Sequence, residues 1–221
     1  MPTDMLTLRE PLREGASALA LDLPDTQLDK LLAYLALMEK WNAVYNLTAV
    51  RDAQQMLTQH LLDCMAALPA FAGAKRVLDV GSGGGLPGVV LAIWAEHAEP
   101  QMQVHLIDTV HKKTAFLTQV KAELGLKNLH VHTGRVEKMN DEARFDVITS
   151  RAFAELKDFV TWAGHLLSDG GQMIALKGHA QSSELTGLPA GWEVTQLQRL
   201  SVPGLTAERH LVHLNRTASN A

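Results

Sequence analysis

A doubly wound α/β fold, with a mostly parallel sheet and an antiparallel strand at its end, is predicted by three features of the 221-residue sequence. Residues 76–88 combine a short apolar strand, a glycine-rich turn and the start of an apolar helix. Beyond that turn, strand-like and helix-like segments alternate, which favours parallel strands joined by helical crossovers. Near its end the chain holds two alternating apolar runs joined through Pro203 and Gly204, which predicts an antiparallel pair.

An N-terminal helical cap is predicted for residues 1–70, ahead of a domain that spans residues 71–221. Apolar residues recur at helical spacing over residues 28–45, and Asp25 is the expected N-cap of this helix. A second helix is expected from about residue 53 to residue 67. Because no repeat or low-complexity linker separates the two regions, we expect the helices to pack onto the larger domain.

The elements of the larger domain follow from the same patterns. Parallel strands are expected at residues 77–80, 104–108, 129–132, 145–150 and 172–178, and the antiparallel pair at residues 192–200 and 210–214. Helices are expected from residue 86, between Thr109 as a cap and Gly125 as a stop, and over residues 156–167. Residues 168–171, which include two adjacent glycines, predict a turn before the fifth strand.

The composition is that of a globular protein, with 47% hydrophobic and 20% charged residues. No apolar run approaches the length of a membrane span, and the N-terminus lacks the profile of a secretory signal. The single cysteine, Cys64, fits a reducing compartment. We therefore expect a cytoplasmic location. We also expect a monomer that binds neither membrane nor DNA.

The charge distribution limits how the chain can bind a nucleic acid. The formal net charge is −4, and residues 1–70 carry nine acidic and five basic residues, so the remainder is balanced. Overall charge therefore gives no long-range attraction to a polyanion. An RNA substrate would have to meet a local basic patch.

Two glycine patterns overlap at the turn after the first strand. Gly83, Gly85 and Gly88 match the G-x-G-x-x-G fingerprint of dinucleotide-binding folds, a match that many glycine-rich loops show by chance. The spacing Asp79-x-Gly81-x-Gly83-x-Gly85 instead resembles the first motif of methyltransferases that use S-adenosylmethionine (SAM). In a dinucleotide fold the pattern follows an all-apolar strand, whereas here an acid stands at the strand's end. The register therefore favours SAM over NAD.

Two acidic residues are expected to bind this cofactor. Asp79 would orient the turn and the cofactor's ammonium group, while Gly81 and Gly83 would let the ligand approach the backbone closely. Asp108 ends the second strand and suits the ribose hydroxyls of either SAM or NAD. Asp108 therefore supports a nucleotide-binding site but does not distinguish SAM from NAD.

The loop after the fourth strand, Ser150-Arg151-Ala152-Phe153, indicates the kind of methyl acceptor. It lacks the Asn/Asp-Pro-Pro-aromatic box that aligns exocyclic amines in many SAM enzymes, and Cys64 lies in the N-terminal helices. Both absences favour an acceptor that is already nucleophilic, such as N7 of guanine, which needs alignment rather than a general base. Arg151 is the candidate catalytic residue because it can donate to guanine O6 or stack on a base. A salt-bridged loop arginine is the alternative.

Further candidates for substrate binding are basic or polar residues close to predicted strand ends and turns. Lys177 and Arg209 are expected to contact RNA phosphates, and Asn46 lies in the turn after a helix that ends with aromatic residues. The ten histidines form no cluster at ligand spacing, so we expect no metal site.

Several short motifs are spread over nearly the whole chain. They are Trp41-Asn42, Tyr45-Asn46-Leu47-Thr48, His60-Leu61-Leu62-Asp63, residues 79–88, Arg135-Val136-Glu137, Ser150-Arg151-Ala152-Phe153-Ala154, Ala175-Leu176-Lys177-Gly178 and Glu208-Arg209-His210. Together they resemble the bacterial RsmG family, also called glucose-inhibited division protein B. The glycine motif alone is shared with a whole superfamily, but its combination with Leu-Pro-Gly, Ser-Arg-Ala-Phe and Leu-Lys-Gly is far more specific.

This resemblance implies a SAM-dependent methyltransferase that acts on guanine N7 in a loop near the decoding centre of 16S ribosomal RNA. The partner would be the 16S rRNA or the 30S subunit. The family's cofactor contacts carry over to Gly81, Leu86, Val136, Glu137 and Arg151. One departure is Cys64, where the family often has serine, and we expect no functional consequence.

Three alternatives remain open on the residues alone. The first is a SAM-dependent methyltransferase with a protein or small-molecule acceptor. The second is an oxidoreductase that uses NAD(P). The third is a non-catalytic RNA-binding assembly factor that keeps a degenerate pocket.

Overall fold

The computed structural model describes residues 3–140, 142, 144–151, 153 and 155–217. Seven strands form its sheet: β1 (Arg76–Val80), β2 (Gln103–Asp108), β3 (Leu129–Thr133), β4 (Phe145–Arg151), β5 (Leu167–Lys177), β6 (Trp192–Leu200) and β7 (Arg209–Arg216). Their order is β3-β2-β1-β4-β5-β7-β6. Strands β1 to β5 pair in parallel, and β7 is antiparallel to both of its neighbours. The predicted fold class is therefore confirmed.

The helices lie before and between the strands. They are α1 (Thr3–Thr7), α2 (Arg9–Ala18), α3 (Asp25–Tyr45), α4 (Ala53–Met56), α5 (Asp63–Met65), α6 (Gly88–Ala98), α7 (His111–Leu124), α8 (Leu156–Ala163) and α9 (Ser182–Thr186). A π-helical turn, Leu57–Leu62, joins α4 to α5, so the predicted second helix is continuous but has a wider turn inside it. None of the helices in the described ranges is long and apolar enough to cross a membrane.

Two predicted helix caps are wrong. Asp25 is the first residue of α3, and its carboxylate accepts a hydrogen bond from Arg13 at 2.9 Å instead of capping the helix. Thr109 does not cap α7, because Val110 precedes that helix and its N–H donates to Asp108 Oδ1 at 2.8 Å. In both helices the residue at the N-cap position is apolar, Pro24 for α3 and Val110 for α7, and neither side chain caps the helix.

The turn predicted at residues 168–171 lies inside β5 rather than before it. Phe145 pairs with Leu167, and Val147 pairs with Gln172. Residues 168–171 therefore form an irregularity within β5. Gly170, with φ of 76°, allows the chain to bend there.

One apolar core runs through the N-terminal helices and one face of the sheet. It includes Leu35 of α3, Leu91 of α6 and Leu106 of β2, each fully buried. A second core lies on the other face, under α8. The helices therefore pack onto the sheet as expected, while the division at residues 70 and 71 stays a prediction.

Helix α3 also contacts the glycine-rich turn directly. Tyr34 is fully buried, and its hydroxyl donates a hydrogen bond to the carbonyl oxygen of Gly84 at 2.6 Å. A partly buried carbonyl that loses its hydrogen-bond donor destabilises the folded state. The N-terminal helices thus hold the turn in place from behind.

Replacing Tyr34 with phenylalanine tests this support. The variant keeps the ring but leaves the Gly84 carbonyl without its donor, so we expect a loss of about 1 kcal/mol in the free energy of unfolding. Urea denaturation would measure it. Tyr45→Phe is the matched control, because Tyr45 is 40% exposed and its loss should change stability little. Equal effects of the two substitutions would contradict the supporting role.

Candidate active site

The glycine-rich turn joins β1 to α6 at the carboxyl edge of the sheet. Gly81, Gly83 and Gly85 have φ of 68°, 56° and 94°, a region that favours glycine. A Cβ added to Gly81 would lie 4.0 Å from its nearest heavy atom, in the Phe153 ring, and would project into open space. A ligand can therefore lie against this backbone, which fits the cofactor predicted from the motif.

Asp79 lies behind the turn. Its side chain is fully buried, and Oδ2 accepts a hydrogen bond from the Gly88 N–H at 3.0 Å. Oδ1 has no hydrogen-bond partner among the residues described. Burial raises the pKa of Asp79 to about 7, although the Gly88 N–H and the charge of Arg151 oppose that shift. The prediction that Asp79 orients the turn agrees with this geometry, while its contact with an ammonium group stays a prediction.

The raised pKa of Asp79 predicts a pH dependence of stability. The folded-state pKa of Asp79, about 7, lies above the usual 3.8. The contribution of Asp79 to the free energy of unfolding is therefore complete below pH 3.8 and is lost as the pH rises towards 7. Relative to Asp79→Asn, the cofactor-free protein should lose about 1.4 kcal/mol of unfolding free energy per pH unit in that window. Urea denaturation at several pH values would measure this. Parallel stability curves for the two proteins would contradict it.

Three neighbouring cavities follow the carboxyl edge of the sheet. The β2 cavity, of about 410 Å³, lies where β1, β2 and β3 end. Its lining consists of Val80, Gly81, Ile107, Asp108, Thr109, Val110, Lys113, Gly134, Arg135, Val136, Glu137, Phe153 and Trp162. Four predicted cofactor residues therefore share one cavity: Gly81, Asp108, Val136 and Glu137.

Asp108 links the β2 cavity to the glycine-rich turn. Its Oδ2 accepts from the Gly83 N–H at 2.9 Å, and its Oδ1 accepts from the Val110 N–H at 2.8 Å. Lys113 Nζ lies 3.8 Å from Oδ2. Because each carboxylate oxygen has two lone pairs, both can accept a further hydrogen bond from a hydroxyl. This arrangement suits the predicted contact with a ribose.

The turn cavity, of about 270 Å³, lies on the other side of Gly81. It is lined by Met38, Leu47, Thr48, Gly81, Ser82, Gly83, Gly84, Leu86, Lys113 and Arg151. The predicted residues Gly83, Leu86 and Arg151 thus lie together here. Gly81 and Lys113 also line the β2 cavity, so an elongated ligand can occupy both.

The β5 cavity, of about 300 Å³, lies at the ends of β4 and β5. It is lined by Asp63, Arg151, Leu176, Lys177, Gly178, Leu200, Arg209 and His210. Arg151 lines both this cavity and the turn cavity. The predicted substrate residues Arg151, Lys177 and Arg209 are therefore brought together, and Arg151 stands between them and the turn.

Arg151 is both a salt-bridged residue and a cavity wall. Its Nη1 donates to the Gln59 carbonyl oxygen at 3.0 Å and to Asp63 Oδ2 at 3.2 Å. Asp63 Oδ1 accepts from Arg209 Nε at 2.8 Å. Asp63 was not among the predicted site residues, although it lies in one of the motifs and was a visible signal there. The salt bridge that sequence offered as the alternative is therefore present, and the contact of Arg151 with a guanine stays a prediction.

Two of the predicted substrate residues, Lys177 and Asn46, are less available for contact with RNA. Lys177 is 10% exposed in its side chain, and its ammonium group donates to the Phe153 carbonyl at 3.1 Å and forms an ion pair with Glu184. Asn46 ends α3 with φ of 51° and accepts from Arg51 at 3.2 Å, outside the lining of the three cavities. Their contacts with RNA stay predictions.

His60 is a second residue that sequence reasoning did not select. It lies in the π-helical turn, and its Nε2 is 2.8 Å from Oγ1 of Thr48, which lines the turn cavity. Burial lowers the pKa of His60, and the positive charge of Arg151 lowers it further. A π-helical turn is often found at functional sites, but its position is not encoded in a periodic pattern. The imidazole ring therefore joins the cavity wall to the helix that carries Asp63.

No group of three or more His, Cys, Asp or Glu side chains is placed to hold a metal ion in the part of the chain that the structure describes. His105 and His132 do lie together, with Nδ1 and Nε2 3.0 Å apart across β2 and β3. The expectation of no metal site stays a prediction.

The strand order and the glycine-rich turn define a class I SAM-dependent methyltransferase. The family model for GidB, described as rRNA small subunit methyltransferase G, matches residues 27–212. The chain belongs to this family. A protein of Herminiimonas arsenicoxydans named Ribosomal RNA small subunit methyltransferase G is 66% identical over 213 residues, or 96% of this chain and 98% of the relative. A protein of the same name from Ralstonia nicotianae is 56% identical over 224 residues, which cover 98% of this chain and 99% of the relative.

Solved structures support the fold class. TrmN from Thermus thermophilus aligns with a TM-score of 0.55 at 20% identity, over 73% of this chain and 53% of that one. The glycopeptide N-methyltransferase MtfA, solved with SAM, aligns with a TM-score of 0.55 at 13% identity. The alignment covers 72% of this chain and 95% of MtfA. The predicted family, fold and cofactor are confirmed, and the roles of individual site residues remain predictions.

Proposed function

We propose that the protein transfers a methyl group from SAM to N7 of a guanine in 16S ribosomal RNA. The observation that carries this proposal is the position of Arg151, which lines both the turn cavity and the basic β5 cavity. The relatives' printed name, ribosomal RNA small subunit methyltransferase G, supports the substrate class. Bound SAM supplies an electrophilic methyl group on a sulfonium, so the protein has to align an acceptor with it.

The side chains around Arg151 favour an acceptor that needs no deprotonation. Asp63, the carboxylate that contacts Arg151, has one arginine on each oxygen, so both of its oxygens are engaged by charged donors. Burial raises the pKa of Cys64 to about 12, so this thiol is no nucleophile at neutral pH. Guanine N7 carries a lone pair and no proton, so alignment and electrostatics suffice.

The cofactor would be held along the β2 and turn cavities. Asp108 would accept hydrogen bonds from the ribose, and Val136 and Phe153 would provide apolar surface for the base. Phe153 also packs edge-on against Trp162, with centroids 5.4 Å apart. The open backbone at Gly81 would receive the methionine portion. Each of these roles follows from what the residue presents to the cavity.

The acceptor would then lie in the β5 cavity, beyond Arg151. Arg151 would donate to guanine O6, and Arg209 would contact the RNA backbone, so that N7 faces the turn cavity. With a net charge of −4, the protein needs this local basic site because its overall charge does not attract RNA. We further propose a cytoplasmic monomer that acts on 16S rRNA or on the 30S subunit.

The experiment is methyl transfer from radiolabelled SAM to rRNA and to 30S subunits from a strain deleted for this gene. The modified base is then mapped. We expect label at N7 of a single guanine of 16S rRNA. Label on a protein or on a different RNA atom would overturn the acceptor, and SAM binding measured in parallel would show whether the cofactor site survives.

A further inference from the structure

Asp63 joins the two arginines that line the β5 cavity. Its Oδ1 accepts from Arg209 Nε at 2.8 Å, and its Oδ2 accepts from Arg151 Nη1 at 3.2 Å. These residues come from distant parts of the chain, since Asp63 is 88 positions from Arg151 and 146 from Arg209. Only the tertiary fold therefore brings this ion-pair group together.

The geometry leaves part of each guanidinium available to a ligand. Arg209 uses Nε for Asp63 and Nη1 for the Glu208 carbonyl, at 2.8 Å each. Arg151 uses only Nη1 in its contacts with described residues. Within the described part of the chain, Nη2 of each guanidinium keeps its two donors, and both arginines line the same cavity.

The charge of this group suits an anionic ligand. Two guanidiniums and one carboxylate leave one net positive charge, and the Asp63 side chain is only 6% exposed. Buried charge pairs hold their geometry more rigidly than exposed ones, because breaking them would leave an unpaired charge out of water. A phosphodiester is the anion that RNA presents, and guanidinium donors match its oxygens.

We propose that Asp63 is a positioning residue that fixes Arg209 beside Arg151, so that Arg209 binds a phosphodiester group of the RNA next to the target guanine. This inference rests on the proposed function. Asp63 acts through the two arginines, because each of its oxygens accepts a hydrogen bond from one of them. It sets the distance between the arginine on the cofactor side and the arginine on the RNA side.

The test measures methyl-transfer kinetics on 30S subunits that lack the modification. Arg209→Gln removes the phosphodiester contact, and Asp63→Asn removes the charge that orients it. We expect each variant to raise KM for the 30S subunit about tenfold or more. In Arg209→Gln, which leaves the contact between Asp63 and Arg151 in place, kcat should change much less. If both act through the same contact, the double variant should be no worse than the poorer single variant.

Asp146→Asn is the matched control for Asp63→Asn. Asp146 Oδ2 accepts hydrogen bonds from the Lys75 and Arg76 N–H groups at 2.7 and 2.9 Å, at the opposite edge of the sheet. The same chemical change there should leave KM for the 30S subunit unaltered. An equal rise in this variant would show that a general loss of structure, rather than positioning, causes the effect.

Arg209→Lys keeps the test decisive if Asp63→Asn does not fold. Lysine restores the charge but has no planar fork that can contact Asp63 and a phosphate together. We expect KM to stay as high as in Arg209→Gln. Recovery to the unaltered KM would overturn the positioning role, as would multiplicative effects in the double variant. No methyl transfer by the unaltered protein would overturn the proposed function and this inference with it.

Discussion

Replacing Arg151 with alanine should lower kcat/KM for methyl transfer by about a hundredfold or more, with the fold retained. The Arg151 side chain is 23% exposed and stands between the turn cavity and the β5 cavity. Its removal takes a guanidinium from the transfer site and leaves Asp63 with Arg209 as its remaining partner. Removing a single preorganised hydrogen-bond donor from a reaction centre lowers the rate by a factor of this size in other enzymes.

The measurement is initial-rate kinetics with labelled SAM and 30S subunits, together with SAM affinity from equilibrium dialysis. Arg199→Ala is the control, because Arg199 is 73% exposed and 3.9 Å from its partner Glu208. We expect it to change kcat/KM by less than about threefold, as for other exposed ion pairs. Unchanged transfer after Arg151→Ala would remove Arg151 from the catalytic site.

The fold could be predicted because its signals are local and periodic. Strands β1 to β4 lie within about one residue of their predicted bounds, since each is a short apolar run ended by glycine or polar residues. The glycine-rich turn was equally clear, because Gly81, Gly83 and Gly85 all need a positive φ. The predicted caps at Asp25 and Thr109 were wrong, because each helix begins one residue away from the expected position.

The site was predicted less completely because its contacts are non-local. Spacing selected Asp108 and Gly81, which share one cavity as expected. It also selected Lys177 as a phosphate contact, but an ion pair with Glu184 from α9 engages that ammonium group. Asp63 lies in one of the sequence motifs, but the motif did not predict its role, because its two arginine partners are far away in sequence. Pairings of this kind need the tertiary structure.

Gly85→Ala should strongly lower the free energy of unfolding, although it adds only one methyl group to the glycine-rich turn. Gly85 has φ of +94°, which strains any L side chain. An added Cβ would also lie 2.5 Å from Val89 Cγ2 and 2.7 Å from Leu117 Cδ2. Both neighbours are fully buried, so the overlap can be relieved only by moving the packed core.

Gly73→Ala separates these two causes. Gly73 has φ of +78°, but an added Cβ there would meet nothing within 4 Å. We expect a loss of about 1 to 2 kcal/mol from backbone strain alone in Gly73→Ala. Overpacking should add about 1 to 3 kcal/mol to a similar strain in Gly85→Ala. Urea denaturation of both variants would measure the free energies of unfolding.

The same pair of variants also tests how the turn binds the cofactor. Gly85 lies next to Gly84, whose carbonyl accepts from Tyr34, so a shift of Gly85 should displace the backbone that lines the turn cavity. SAM affinity should therefore fall at least tenfold in Gly85→Ala and stay unchanged in Gly73→Ala. Equal stability losses would mean that strain alone acts at Gly85. Unchanged SAM affinity would mean that the turn tolerates displacement, which contradicts its role as the rigid wall of the cofactor site.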